Sequence, residues 1–208
     1  IQDDGSCCYV SGCTDPYSIN FDSTACFDNG SCIPAVLGCT NQYADNYNPA
    51  ANTLKTTGGE IDTSFGLGGY FSANSTAALI FDANEDCVLE SAVFYAQFPN
   101  NIKFEVRDSL NTIIDDTTLN VIPGKQRLVL NFEIPAGQNM RLGVGTNSSF
   151  LYRNRANTSY PYEIGNLITI KTSTSSWWPN QFYYFYYDMV FQKNCVVPET
   201  YNCISEGD

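Results

Sequence analysis

The stretch Gln126–Ile134, QRLVLNFEI, decides the fold class. In an extended chain successive side chains point to opposite faces, so Leu128, Leu130, Phe132 and Ile134 share one face and Arg127, Val129, Asn131 and Glu133 the other. Outward from it, AALIFDA (77–83), CVLESAVFYAQ (87–97), IKFEVRD (102–108), TIIDDTTLNV (112–121), MRLGVGT (140–146), NLITIKTS (166–173) and FYYFYYDMVFQ (182–192) are all short. They are rich in β-branched and aromatic residues and are separated by Asn, Gly, Pro or Asp clusters, which is the spacing of an all-β sandwich. No segment holds a helical period over ten residues. RDSLNTII predicts a hairpin around Ser109–Asn111.

The 208 residues leave room for one ordinary domain and a smaller appendage. A net charge of −12 offers no basic patch for phosphates, which argues against nucleic acid and anionic membrane surfaces as partners. No apolar run is long enough to span a bilayer, so no membrane insertion is expected. The nine cysteines point to an oxidising compartment and a secreted, extracellular or cell-surface setting. With no His and no CxxC pair, zinc-ligand spacing is missing and disulfides are the expected use of the thiols. The odd number, the missing initiator Met and the abrupt YNCISEGD end suggest a piece of a longer or processed polypeptide, with Cys7 and Cys203 stranded near its ends.

Residues 1–57 are organised differently. DDGSC at 3–7 returns as DNGSC at 28–32, and GCTD at 12–15 returns as GCTN at 38–41, a period of 25 to 26 residues. Units this short cannot bury a hydrophobic face and need staples and stacking against neighbours. Cys13–Cys32 is the natural bridge within the complete copy, closing a loop of about 20 residues worth about 3 kcal/mol in the loop-entropy description. Cys8 and Cys26 form a candidate added pair, although connectivity does not follow from sequence. The last copy never reaches its DDGSC, so Cys39 lacks its expected mate. Asp15, Asp22 and Asp28 supply hard oxygens suited to calcium, the one cofactor the chain suggests. The same residues also simply make good turns.

GCTDPYSINFDSTACFDNGSC (12–32) resembles the GCTDP…DDGSC repeats of large secreted and surface proteins of marine Bacteroidetes, including substrates of the type IX secretion system; similar repeats occur in some viruses of algae. Gly12, Cys13, Thr14, Asp15, Pro16, Asn20, Asp22, Ala25, Asp28, Gly30, Ser31 and Cys32 match, while Phe21 and Cys26 depart from the pattern. The resemblance implies an extracellular spacer or stalk, adhesin-like in context. EVRDSLN (105–111), LVLNFEIPAG (128–137), LYRNRANTSYPYEI (151–164) and FYYFYYDMVF (182–191) resemble a jelly-roll-like module of surface proteins from the same bacteria, over roughly 68–192. That likeness implies a jelly-roll-like β-sandwich over 58–194, with 195–208 starting a further Cys-containing segment. Cys87 and Cys195 stand outside the module's pattern, open and close the domain, and are expected to pair.

Without His, Ser-His-Asp, Cys-His and common zinc hydrolase sites are excluded. Glu90, Glu105, Glu133, Glu163 and Asp188 are strand carboxylates for two-acid glycoside chemistry, but outward acids are more often a solvated face, and no enzyme is expected. The aromatic residues carry more information. In FYYFYYDMVF one parity (Tyr183, Phe185, Tyr187, Met189, Phe191) is expected to fill the core and the other, with Tyr184 and Tyr186, to face away. Trp177 and Trp178 add two indoles in a loop, and YRNRANTSYPY brings Arg153, Asn154, Arg155, Tyr160 and Tyr162. Such groups suit stacking on a sugar ring or docking a protein; the competing reading is a long loop packed on the sheet with its arginines paired to acids.

The expectation is a non-enzymatic surface or adhesion protein in which stalk repeats present an all-β, jelly-roll-like sandwich that binds glycan or a cell-surface protein. A structural subunit of an extracellular filament, in which the partners are copies of the same chain, is the alternative. A carbohydrate-binding module of a larger secreted hydrolase is the third reading.

Overall fold

A computed structural model describes residues 8–72 and 76–198, which contain strands and turns and no helix. Asp3, Asp4, Cys7 and Cys203 lie outside the described residues. Two compact units emerge, one built from the chain up to Leu54 together with the chain from Cys195, the other from Lys55–Asn194.

The first unit is a structural repeat held by turns. Among the described residues its strands are β1 (Ser11–Gly12) and β2 (Phe27–Asp28), which pair in parallel. Backbone bonds recur with a 26-residue offset: Asp22 N donates to Cys13 O and Asn48 N to Cys39 O, each at 2.9 Å, and Cys26 N donates to Val10 O as Asn52 N does to Val36 O. Glycine is required at the head of each copy. A Cβ on Gly12 would meet Asp22 and Ala25 at 3.1 Å, and one on Gly38 would meet Ala51 and Asn48 at 2.8 and 2.9 Å.

The disulfides are Cys8–Cys26, Cys13–Cys32 and Cys39–Cys195. The first two match the expected pairs. The expected Cys87–Cys195 bridge is replaced, for a reason the repeat makes plain. Ile33 N donates to Asn20 Oδ1, and the Ile33 carbonyl accepts from Ile19 N; in the next copy Asn46 and Asp45, 26 residues after Asn20 and Ile19, make the same two bonds with Val196, whose N donates to Asn46 Oδ1 and whose carbonyl accepts from Asp45 N. Cys195 thus takes in the second copy the place that Cys32 takes in the first, and Cys39 finds its mate beyond the sandwich. The sandwich is an insertion into a repeat, and Cys195 and Val196 complete that repeat. Cys87 is a free thiol, fully buried on its strand, and burial, with Asp86, Glu85 and Glu133 nearby, pushes its pKa up to about 12.

The second unit contains β3 (Lys55–Gly58), β4 (Gly68–Phe71), β5 (Ala78–Ala83), β6 (Cys87–Ala96), β7 (Asn100–Arg107), β8 (Ile113–Val121), β9 (Gly124–Ile134), β10 (Gly137–Val144), β11 (Leu151–Asn154), β12 (Tyr162–Ile164), β13 (Ile168–Ser173), β14 (Tyr183–Tyr184) and β15 (Tyr187–Lys193). One sheet runs β12-β13-β5-β10-β7-β8; the other runs β14-β11-β6-β15-β3, with β4 beside β11 and β9 beside β6. The chain passes repeatedly between the two sheets, the β-sandwich that the strand pattern predicts and of the jelly-roll-like kind that the resemblance implies. The inner faces meet face to face: Phe94 of β6 lies 4.5 Å from Phe104 of β7, and Met189 and Phe191 of β15 lie with Leu79, Phe81, Leu142, Ile168 and Ile170.

In β9, Leu130, Phe132 and Ile134 are buried while Val129, Asn131 and Glu133 are exposed, as alternation demands. The β7–β8 hairpin turns at Asp108–Thr112, with Asp108 Oδ1 accepting from Thr112 N at 2.8 Å and Asn111 at φ 71°. Alternation fails in FYYFYYDMVF. Phe185 (φ 66°) and Asp188 (φ 41°) leave the extended region, so all of Tyr183–Tyr187 are buried, against the outward placement expected for Tyr184 and Tyr186.

Candidate ligand-binding surfaces

Asn154, Tyr160, Tyr162, Tyr184 and Tyr186 form structure more than surface. Tyr186 packs 4.9 Å from Phe94 and donates to Gly143 O at 2.6 Å. Asn154, fully buried, donates from Nδ2 to Thr63 O (3.0 Å) and Gly66 O (2.8 Å) and accepts from the Tyr187 hydroxyl at 2.8 Å, fixing the 59–67 loop to β11. Tyr160 donates to Phe182 O at 2.7 Å, and Tyr162 to Glu60 Oε1 at 2.5 Å. Burial raises the pKa of Tyr160, Tyr162, Tyr183 and Tyr184, so these phenols remain neutral. Burial likewise holds the Glu60 carboxyl above its ordinary value, partly offset by the Tyr162 bond.

Arg153 is gripped by rings. Its guanidinium carbon lies 3.6 Å from the Phe71 centroid and 4.4 Å from that of Phe182, and Nη1 donates to the Tyr184 hydroxyl at 3.2 Å. Such close ring contacts suit the planar, delocalised guanidinium better than an ammonium group. Arg155 is exposed in the following loop, its amide donating to Leu67 O at 2.7 Å.

Trp177 is 84% exposed and Trp178 57%, in the loop between β13 and β14. The loop is anchored on both sides: Pro179 O accepts from Ser173 N (3.1 Å) and Ser173 Oγ (2.7 Å), Thr172 Oγ1 bonds Asn180 Oδ1 at 2.6 Å, Thr158 Oγ1 donates to Asn180 O, and Gln181 N donates to Trp178 O at 3.1 Å. Two solvated indoles therefore stand on a fixed base.

A second aromatic row escapes the sequence reading. Tyr70 (44% exposed) meets Tyr152 edge-on at 5.4 Å, Tyr152 lies 6.4 Å from Tyr95, and Lys125 Nζ sits 5.9 Å over Tyr95. These residues belong to β4, β11, β6 and β9, and only strand pairing brings them together. The available signal was parity: Tyr152 and Tyr95 fall on the face opposite Leu151 and Phe94.

Asp15, Asp22 and Asp28 each accept the backbone N–H two residues on, from Tyr17, Thr24 and Gly30 at 3.0, 2.9 and 2.9 Å. Their carboxylates thus close separate turns, and no group of three acids converges among the described residues. Of the strand acids, Glu90 pairs with Lys55, Glu105 with Arg107 and Asp188 with Arg127, while Glu163 accepts from Thr169 Oγ1 at 2.7 Å. No protein family, curated protein or solved structure matches the chain.

Proposed function

We propose that this chain is a non-enzymatic extracellular surface protein of the adhesin type, in which disulfide-stapled repeats carry a β-sandwich that binds glycan at a cell surface. The Trp177–Trp178 loop carries this reading. Large aromatic side chains held exposed on an anchored loop forgo burial and lose little conformational freedom on binding, and their flat faces suit the apolar face of a sugar ring. Three disulfides support an oxidising environment, and no helix among the described residues is long and apolar enough to cross a membrane. The GCTDP…DDGSC likeness to secreted Bacteroidetes proteins agrees with this setting.

A glycan array probed with the full chain and with Trp177→Ala/Trp178→Ala tests the proposal. The wild type binds a restricted set of glycans; the double variant loses at least about tenfold in affinity, as expected when anchor aromatics are truncated, with stability changed by less than about 0.5 kcal/mol. Equal binding by both proteins would remove the loop from the account.

A filament subunit is the second reading, favoured by a different observation. The repeat unit leaves Tyr9, Tyr17, Phe27 and Tyr43 more than half exposed. So much apolar exposure on so small a unit suits stacking of further repeats or of copies of the chain. Sedimentation across a concentration series distinguishes a monomer from self-assembly.

A further inference from the structure

The ten cations of this acidic chain are not equally partnered. Lys55, Lys103, Arg107, Arg127, Lys171 and Lys193 form ion pairs. Among the described residues Arg153 and Arg155 have no carboxylate partner, although the chain carries 22 acids. Glu60, an acid tied to the neighbouring tyrosines, accepts from Tyr162 instead.

Ring contacts hold the Arg153 guanidinium in place without neutralising it. Its carbon lies 3.6 Å from the Phe71 centroid and 4.4 Å from that of Phe182. Nη1 donates to the Tyr184 hydroxyl, a neutral acceptor, while Nε and Nη2 have no partner among the described residues and reach solvent. Arg155 stands exposed two residues on, its side chain without an ion pair among the described residues.

These two cations share a surface with the tryptophan loop. Thr158 Oγ1 donates to Asn180 O and the Tyr160 hydroxyl donates to Phe182 O at 2.7 Å, so the chain after Arg155 is laced to the chain after Trp178. Gln181 N donates to Trp178 O at 3.1 Å, a tight turn that sets Trp178 close to Phe182, the ring beside Arg153.

We propose that the glycan held by the tryptophan loop is acidic, its carboxylate or sulfate bound by Arg153 and Arg155. This assignment rests on the loop binding glycan and adds the charge class of that glycan. A planar guanidinium with open N–H groups suits an oxyanion, and charge-assisted hydrogen bonds are roughly twice as strong as neutral ones. No internal carboxylate has to be displaced first. In a chain of net charge −12 these arginines supply the local attraction that an anion needs.

The experiment is an array of uronate-bearing, sialylated, sulfated and neutral glycans, followed by calorimetric titration of the full chain with the best-bound array glycan and its neutralised form. Reducing carboxylates to alcohols and removing sulfates, in separate samples, tells which anion is read. The bound glycans are expected to be acidic, and neutralising the anion to weaken binding at least about tenfold. Arg153→Gln and Arg155→Gln each narrow the difference between the acidic glycan and its neutral form by about threefold or more. Trp177→Ala/Trp178→Ala weakens both forms alike. Arg155→Gln lies in an exposed loop and keeps the melting temperature, so the test stays decisive should Arg153→Gln disturb the rings around it. Neutral glycans bound through the tryptophans would overturn this proposal and leave the loop's role standing, whereas an array with nothing bound would overturn both. An unchanged preference for the acidic form in both arginine variants would also overturn it.

Discussion

The repeat unit buries Cys13, Cys39 and Ala44 and leaves Tyr17, Phe21, Phe27 and Tyr47 in solvent, whereas the sandwich encloses Phe94, Phe104, Phe132, Phe185, Tyr186 and Phe191 completely or nearly so. One unit is held by covalent staples and short-range turn bonds, the other by two apolar faces. The difference follows from size. A unit of about 25 residues cannot enclose an apolar face, so covalent loop closure and Asx turns take the place of burial. The sandwich has enough chain for a core and leaves its own cysteine, Cys87, as a buried apolar side chain. That self-sufficiency lets it sit as an insertion between Cys39 and Cys195 while the interrupted repeat still closes.

The largest expected effect strikes the core. Phe94→Ala removes a ring that touches Phe104 and Tyr186 and should cost about 3–5 kcal/mol, seen as a lowered sandwich transition in calorimetry with the repeat transition unmoved. Next comes the staple: Cys13→Ser/Cys32→Ser removes a 19-residue closure worth about 3 kcal/mol, and this loss should fall on the repeats alone. If the sandwich transition moves with it, the two units do not stabilise independently.

The smallest effect concerns pH. Glu60 has a raised pKa in the folded chain, so between its ordinary value and the raised one the folded state binds more protons than the unfolded state. Stability therefore falls as pH rises through that window and levels off above it. Glu60→Gln, which keeps an acceptor for Tyr162, should flatten this fall and raise neutral-pH stability by less than about 1 kcal/mol, since the half-buried group is screened by solvent. Chemical denaturation from pH 4 to 8 checks it; an unchanged slope would show that Glu60 titrates as it does in the unfolded chain.

The contrast also explains what was legible in the sequence. The alternation in QRLVLNFEI and IKFEVRD gave strand faces because those segments stay extended, and Cys13–Cys32 was readable because both partners lie in one copy of the motif, with Cys8 and Cys26 standing beside it as an added pair. The partner of Cys39 was hidden, because 156 residues separate it from Cys195 and nothing local marks an insertion. Tyr184 and Tyr186 were misplaced because two positive-φ residues break the period of two, a backbone choice that non-glycine side chains do not advertise. The Tyr70–Tyr152–Tyr95 row depends on register between distant strands, which no single segment encodes.

The most direct test of the central claim, that a self-sufficient sandwich carries the binding surface, is the glycan array read with the full chain before and after exposure to a thiol reductant. The account predicts the same bound glycans in both conditions, because the sandwich contains no disulfide. A profile that vanishes on reduction, or an array with nothing bound in either condition, would contradict it.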